Sequence, residues 1–322
     1  MTTPPDPADL SAPAQAVLVQ PADHPEPQLG QPANGNGKKK ASRSAIADFW
    51  RRFKRNKLAM GGLVVVTIMV ILAVLQPFIS PFDPYDQNLI NTLQPPSAEH
   101  WFGTDVLGRD LYSGMLYGLK LALIVGLCTM LGSMTLGVTL GALAGYRGGF
   151  SDALVMRVTD LFLAFPYLIG AILVVRTFGS GLFQVILALV ILGWPTAARL
   201  MRGQILALRE AEYVEAARSI GASDTRIVTR HILPNAIQPV FIYSFTGIGV
   251  AVVAMASLAY LGVGVPTDTP EWGRMINQGI EQVQVAGKDF LWMFPSGAIC
   301  ITTLAFAFVS DGLRDALDPK LR

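Results

Sequence analysis

Residues 58–79 are 22 almost uninterrupted apolar residues. A helix of that length measures roughly 33 Å, enough to cross a hydrocarbon core of about 30 Å. Further apolar stretches follow at 121–145, up to about 175 after an amphipathic stretch at 151–160, at 182 to about 198, at about 239–262 and at about 294–309. Composition agrees: 52% of the 322 residues are hydrophobic, 15% are charged and the mean hydropathy is +0.44, far from a soluble balance. The expectation is an all-α membrane protein with six transmembrane helices over 58–322. A net charge of +2 gives no argument for nucleic acid. Lipid is the predicted surrounding.

The segments between the runs set the organisation. Residues 1–44, rich in proline, glycine, alanine and polar groups, have little to bury and predict a disordered tail. In 45–57, Ile46, Phe49, Trp50 and Phe53 recur on one side of a helix and Arg51, Arg52, Lys54 and Arg55 on the other, the pattern of an amphipathic helix in the membrane interface. The polar segment 80–118 holds Asp105 and Asp110 around Arg109. No nucleophile and base accompany them, so a salt-bridge and capping cluster is expected. Gly137, Gly141 and Gly145, four apart, form a ridge on one helical face where another helix can approach closely. Arg157 and Asp160, three apart, are expected to pair with each other. Cys128 and Cys300 lie in apolar runs as packing residues, and the three histidines have no ligand spacing, so no metal is assigned.

Lysine and arginine decide orientation. With the N-terminus cytoplasmic, about 20 of the 25 basic residues fall on the cytoplasmic side and about five outside. Segments 80–118 and 263–293 are then extracytoplasmic, and both termini and the polar loop 213–234 are cytoplasmic.

That loop, YVEAARSIGASDTRIVTRHILP, interrupts an otherwise membrane-like chain. Glu215, Ala216 and Ala217 open a short helix whose small residues let another surface come close. Gly221 suits the left-handed residue that ends it, and Ser223 with Asp224 can cap and charge a second helix. Pro234, which disfavours helical geometry in the residue before it, marks the expected end. From the residues alone, the loop fits equally a docking surface for a soluble partner or a positive-inside loop resting on lipid headgroups.

Glu215-Ala216-Ala217, then Gly221, then Leu233-Pro234, resembles the EAA loop of the membrane subunits of binding-protein-dependent ABC importers. His231 stands where the family often has isoleucine. The stretches at 102–113 (FGTDVLGRDLYS), 144–149 (AGYRGG), 269–273 (TPEWG) and 311–319 (DGLRDALDP) are similar to the second permease subunit of the dipeptide, oligopeptide and nickel importers. The similarity runs from about residue 49 onward.

The resemblance implies a type I ABC importer permease fold in the bacterial inner membrane. It also implies a homologous second permease subunit, two ATPase subunits that bind ATP and Mg, and an extracytoplasmic substrate-binding protein. The loop residues Glu215, Ala216, Ala217, Gly221, Leu233 and Pro234 would couple to the ATPases. No GxxxxGK[ST] phosphate loop occurs, since Gly37-Lys38 has Pro32 at the first glycine position, so no ATP hydrolysis is expected here. The implied cargo is dipeptides or short oligopeptides, with glutathione or a nickel or metal chelate as alternatives and the substrate-contacting residues unknown. A proton-coupled secondary carrier would want ionisable residues near mid-membrane, and spans one, two, five and six carry none there.

Overall fold

The structure, a computed structural model, describes residues 45–282, 284, 285 and 287–317. The expected tail at 1–44 and the side chain of Ile46 lie outside the described residues.

Helix α1 (Ala45–Phe53) leads through a short turn into α2 (Lys57–Ile79), whose N-terminus is capped by Asn56 Oδ1 accepting from Ala59 N. After a polar segment containing a 3-10 turn at Leu89–Asn91 come α3 (Leu111–Arg147), α4 (Gly149–Ala164), α5 (Tyr167–Phe178) and α6 (Leu182–Leu208). The loop helices α7 (Glu212–Ser219) and α8 (Asp224–Ile227) precede α9 (Leu233–Tyr260), α10 (Trp272–Glu281) and α11 (Phe290–Leu317).

Among the described residues, five helical stretches are long and apolar enough to cross a membrane, and α4 with α5, bent by 95°, makes a sixth if the pair is one span. The third expected span is therefore broken. Phe165 and Pro166 leave helical geometry between its halves, as the residue before a proline tends to.

The spans also outrun their apolar runs. α3 begins at Leu111, ten residues before the expected 121, because Asp110 caps it: Asp110 Oδ2 accepts from Ser113 N at 2.7 Å. α6 continues to Leu208 through Pro195, and α11 carries the helix through the charged residues from Asp311 to Leu317. Pro234 is not a stop. A π-turn over Val228–Ile232 joins α8 to α9, and Pro234 stands in the first turn of α9, where its missing N–H costs no hydrogen bond. The helical stretch thus runs from Asp224 to Tyr260.

Close approach organises the bundle. A methyl group placed on Gly137 would lie 2.5 Å from Ala197 Cβ, on Gly141 2.4 Å from Ala198 O and on Gly145 2.8 Å from Ile205 Cβ, so the ridge lies against α6. α9 packs on α3, α6, α10 and α11, and its Val240, Ala251, Val252, Met255 and Leu258 are buried. α2 meets α11 where Gly62 faces Ala305 O. Two of the sequence expectations fail here. Asp160 pairs with Arg199 of α6 at 2.7 Å rather than with Arg157 of its own helix, and Cys128 and Cys300 are exposed rather than packed inside.

Candidate functional site

The polar residues gather at the two ends of the bundle. At one end stands the two-helix loop. Val214 and Ala217, three apart on α7, are buried with Met201 and Ile205 of α6 and with Ile227, Ile232 and Ala236. Those contacts fix which face of α7 turns outward: Glu212, Tyr213, Glu215, Ala216 and Ser219 are exposed, and Ile220 is 86% exposed. Ala216 and Ala217 therefore separate, one outward and one in the core.

The C-terminus of α7 closes in two hydrogen bonds, Ala222 N to Ala217 O at 3.1 Å and Gly221 N to Arg218 O at 3.0 Å, with Gly221 at φ +82°. This paired closure around a left-handed residue is the Schellman motif, for which glycine carries no Cβ penalty. A side chain at Gly221 would meet nothing within 4 Å in this chain, so the demand there is on the backbone angle alone. Ser223 holds the N-cap position of α8 but makes no side-chain capping bond. Asp224 instead accepts from Tyr146 Oη at 2.6 Å. Leu233 is half-buried against the loop-end core and Pro234 is exposed.

Arginines bind this end to the bundle. Arg202 donates twice to Asp152, through Nε at 2.5 Å and Nη2 at 2.6 Å, and Arg209 Nη1 donates to Gly145 O at 3.3 Å. Tyr146, Arg147, Arg209, Glu210, Arg218 and Asp224 line a cleft of about 540 Å³ beside the loop.

At the opposite end Asp105 accepts from Leu107 N, Arg109 N and Arg109 Nε at 2.7–2.9 Å, and Arg109 Nη1 reaches Asp268 O at 2.9 Å. Asp110 takes Ser113 Oγ at 2.7 Å and lies 2.9 Å from His100 Nδ1. Serine and histidine both address that one carboxylate rather than each other, so the cluster braces a turn and forms no proton relay to a nucleophile. His100 escaped the sequence reading, because its partner is ten residues away across a turn.

Glu271 stands in the sequence only as part of the 269–273 stretch, with no role of its own read there. It caps α10 by accepting from Gly273 N and Arg274 N at 2.7 and 3.1 Å, and complete burial pushes its carboxyl up to about 7. Trp272 Nε1 donates to Met115 O at 3.1 Å, and Trp272 fills the gap beside Gly118 of α3. An acidic residue just before a short helix was a capping signal. Its depth depended on the packing of α3, α9 and α10.

These features define a multi-pass helical membrane protein with a braced polar loop at one end and capped polar segments at the other. Residues 137–322 match the family of binding-protein-dependent transport system inner membrane components, and residues 44–96 match the N-terminal transmembrane domain of oligopeptide transport permease C. The chain belongs to the family of binding-protein-dependent transport system inner membrane components. It is 39% identical to the oligopeptide transport system permease protein OppC of Bacillus subtilis, over 90% of this chain and 95% of that protein. It is 38% identical to the dipeptide transport system permease protein DppC of the same organism, over 97% and 100%. With the glutathione transport system permease protein GsiD of Pectobacterium atrosepticum it shares 40% identity over 88% and 94%. The protein is thus a non-catalytic inner-membrane permease component of an ABC transport system, and such a system implies ATPases, a binding protein and a paired permease.

Proposed function

We propose that this chain forms half of the translocation pathway of an ATP-driven importer of dipeptides or short oligopeptides, with both termini and the 213–234 loop cytoplasmic. The observation that carries the coupling role is the two-sided build of α7: Val214 and Ala217 lock one face into the bundle while Glu215, Ala216 and Ile220 stand outward. The small and acidic face of Glu215, Ala216 and Ser219, with Ile220 at its end, leaves room for a groove on another protein to come close. The lysine and arginine distribution supports the orientation, and the likeness to peptide and glutathione permeases supports the cargo class.

In this reading α7 sits in a groove of one of two ATPase subunits, which bind ATP and Mg. Closure of the nucleotide-bound pair pulls the loop, and the pull passes to the spans through the contacts of Val214, Ala217, Ile227 and Leu233. Gly221 sets the angle between the two loop helices. The segments 80–118 and 263–293 face the binding protein and a second, homologous permease completes the pathway. The permease alone cannot drive cargo uphill, since a ligand shifts a two-state equilibrium only by its differential affinity; hydrolysis in the partner resets the states.

The test is ATPase activity of the assembled complex in lipid with its own binding protein, with and without di- and tripeptides including glutathione. The expected result is stimulation by peptides that disappears in Gly221→Val while assembly and basal hydrolysis persist. Normal transport by that variant would remove Gly221 from the coupling role. A complex that assembles and hydrolyses ATP but responds to no peptide would point to metal chelates or another solute.

A further inference from the structure

Helix α1 and the end of α11 build a basic cleft to which the proposed coupling role assigns nothing. Phe53 of α1 is 3% exposed and lies against Gly312 of α11, and Asn56 donates to Asp315 Oδ2 at 2.9 Å while capping α2. α1 is thereby pinned at the point where the apolar span begins. Its other side carries charge. Arg51, Arg52, Arg55, Asn56 and Asp315 line a cleft of about 810 Å³, and Arg51 also reaches Asp48 at 3.3 Å.

The depth of this cleft follows from its neighbours. Leu58, in the first turn of α2, is 64% exposed, and Val64, Ile68 and Ile71 continue an exposed apolar surface along the same helix. Trp50 is 42% exposed with Lys54 Nζ 5.2 Å from its ring centre, a pairing suited to the membrane–water boundary. Cations lie on one side of that boundary and acyl-compatible surface on the other. A ligand matching both has an anionic head and a hydrocarbon tail.

We propose that the cleft between α1 and the end of α11 binds the headgroup of an anionic glycerophospholipid of the phosphatidylglycerol class. Arg51 and Arg55 take the phosphodiester, Asp315 accepts from a glycerol hydroxyl, and an acyl chain runs along α2 from Leu58. Guanidinium groups suit the phosphodiester because their planar donors address two oxygens at once. An acidic face of a partner protein would match the cations but not the adjoining exposed apolar surface.

The experiment uses the whole transporter, purified in detergent, stripped of lipid and offered equal phosphatidylglycerol and phosphatidylcholine, with retained lipid counted by native mass spectrometry. Phosphatidylglycerol is expected to be kept over phosphatidylcholine by on the order of tenfold or more. That preference is expected to vanish in Arg51→Gln with Arg55→Gln, and to persist in the tail variant Lys38→Gln, Lys39→Gln, Lys40→Gln. The charge-preserving pair Arg51→Lys with Arg55→Lys keeps about half of the preference, which separates loss of charge from loss of fold. Equal retention of the two lipids, loss of the preference in the tail variant alone, or displacement of the lipid by equimolar glycerol 3-phosphate would overturn the proposal. So would loss of the ATPase subunits from the glutamine pair with lipid retention unchanged, which would assign the cleft to a protein partner.

Discussion

Tyr146, the penultimate residue of α3, donates to Asp224, the first residue of α8, at 2.6 Å. The hydrogen bond ties the loop to a helix other than the two that flank it in sequence. The far end of α3 holds Trp272 through Met115 O and the gap at Gly118. A helix of 37 residues spans roughly 55 Å, and a continuous helix is stiff along its axis. α3 therefore joins the loop end to the opposite polar segment in one piece.

Removing that bond tests the connection. In Tyr146→Phe we expect transport to fall several-fold relative to ATP hydrolysis in the same vesicles, with the unfolding midpoint almost unchanged, because one partly solvated hydrogen bond contributes only about 1 kcal/mol. Asp224→Asn in the same background should add little further loss. An unchanged transport-to-hydrolysis ratio would show that α3 carries no coupling.

The ridge predicts opposite signs for one substitution at two glycines. Gly141→Ala puts a methyl group 2.4 Å from Ala198 O and should destabilise the subunit by about 1–3 kcal/mol as α3 and α6 are forced apart. Gly203→Ala, within α6 but with nothing inside 4 Å, should stabilise by about 0.5–1 kcal/mol through the unfolded chain. Thermal unfolding of the two variants decides the matter.

Glu271 predicts a pH dependence. Its folded carboxyl sits at about 7, above the ordinary carboxylate range, because burial disfavours the charge. The folded state therefore holds a proton that the unfolded chain releases, and stability falls as pH rises from about 4.5 to about 7, then levels, by roughly 3 kcal/mol. Glu271→Gln should flatten that part of the curve, and parallel slopes in the two proteins would refute the assignment.

Two inter-helix ion pairs should differ in weight. Asp152 receives two bonds from Arg202 in a partly buried setting, whereas Asp160 and Arg199 are each more than half exposed. Asp152→Ala should cost about 2 kcal/mol and Asp160→Ala less than about 1 kcal/mol, measured by unfolding.

Much of this was legible along the chain. The run at 58–79 admits a membrane and little else, the four-residue spacing of Gly137, Gly141 and Gly145 needs only helical periodicity to become a ridge, and Gly221 announces a left-handed turn. Helix ends were less legible. Hydropathy reports where lipid begins, while α3 begins where Asp110 caps it, and Pro234 was survivable because the preceding π-turn and its first-turn position removed the usual penalty.

The helical membrane class, the small-residue contact face and the polar loop with its glycine turn are written in the chain itself, because each depends on local composition or on the period of one helix. That Asp160 meets Arg199, that Tyr146 holds Asp224, that Ala216 faces out while Ala217 faces in, and that Glu271 is buried came from the packing of the helices. Those facts depend on which helices lie side by side, and the periodicity of a single helix carries no information about its neighbours.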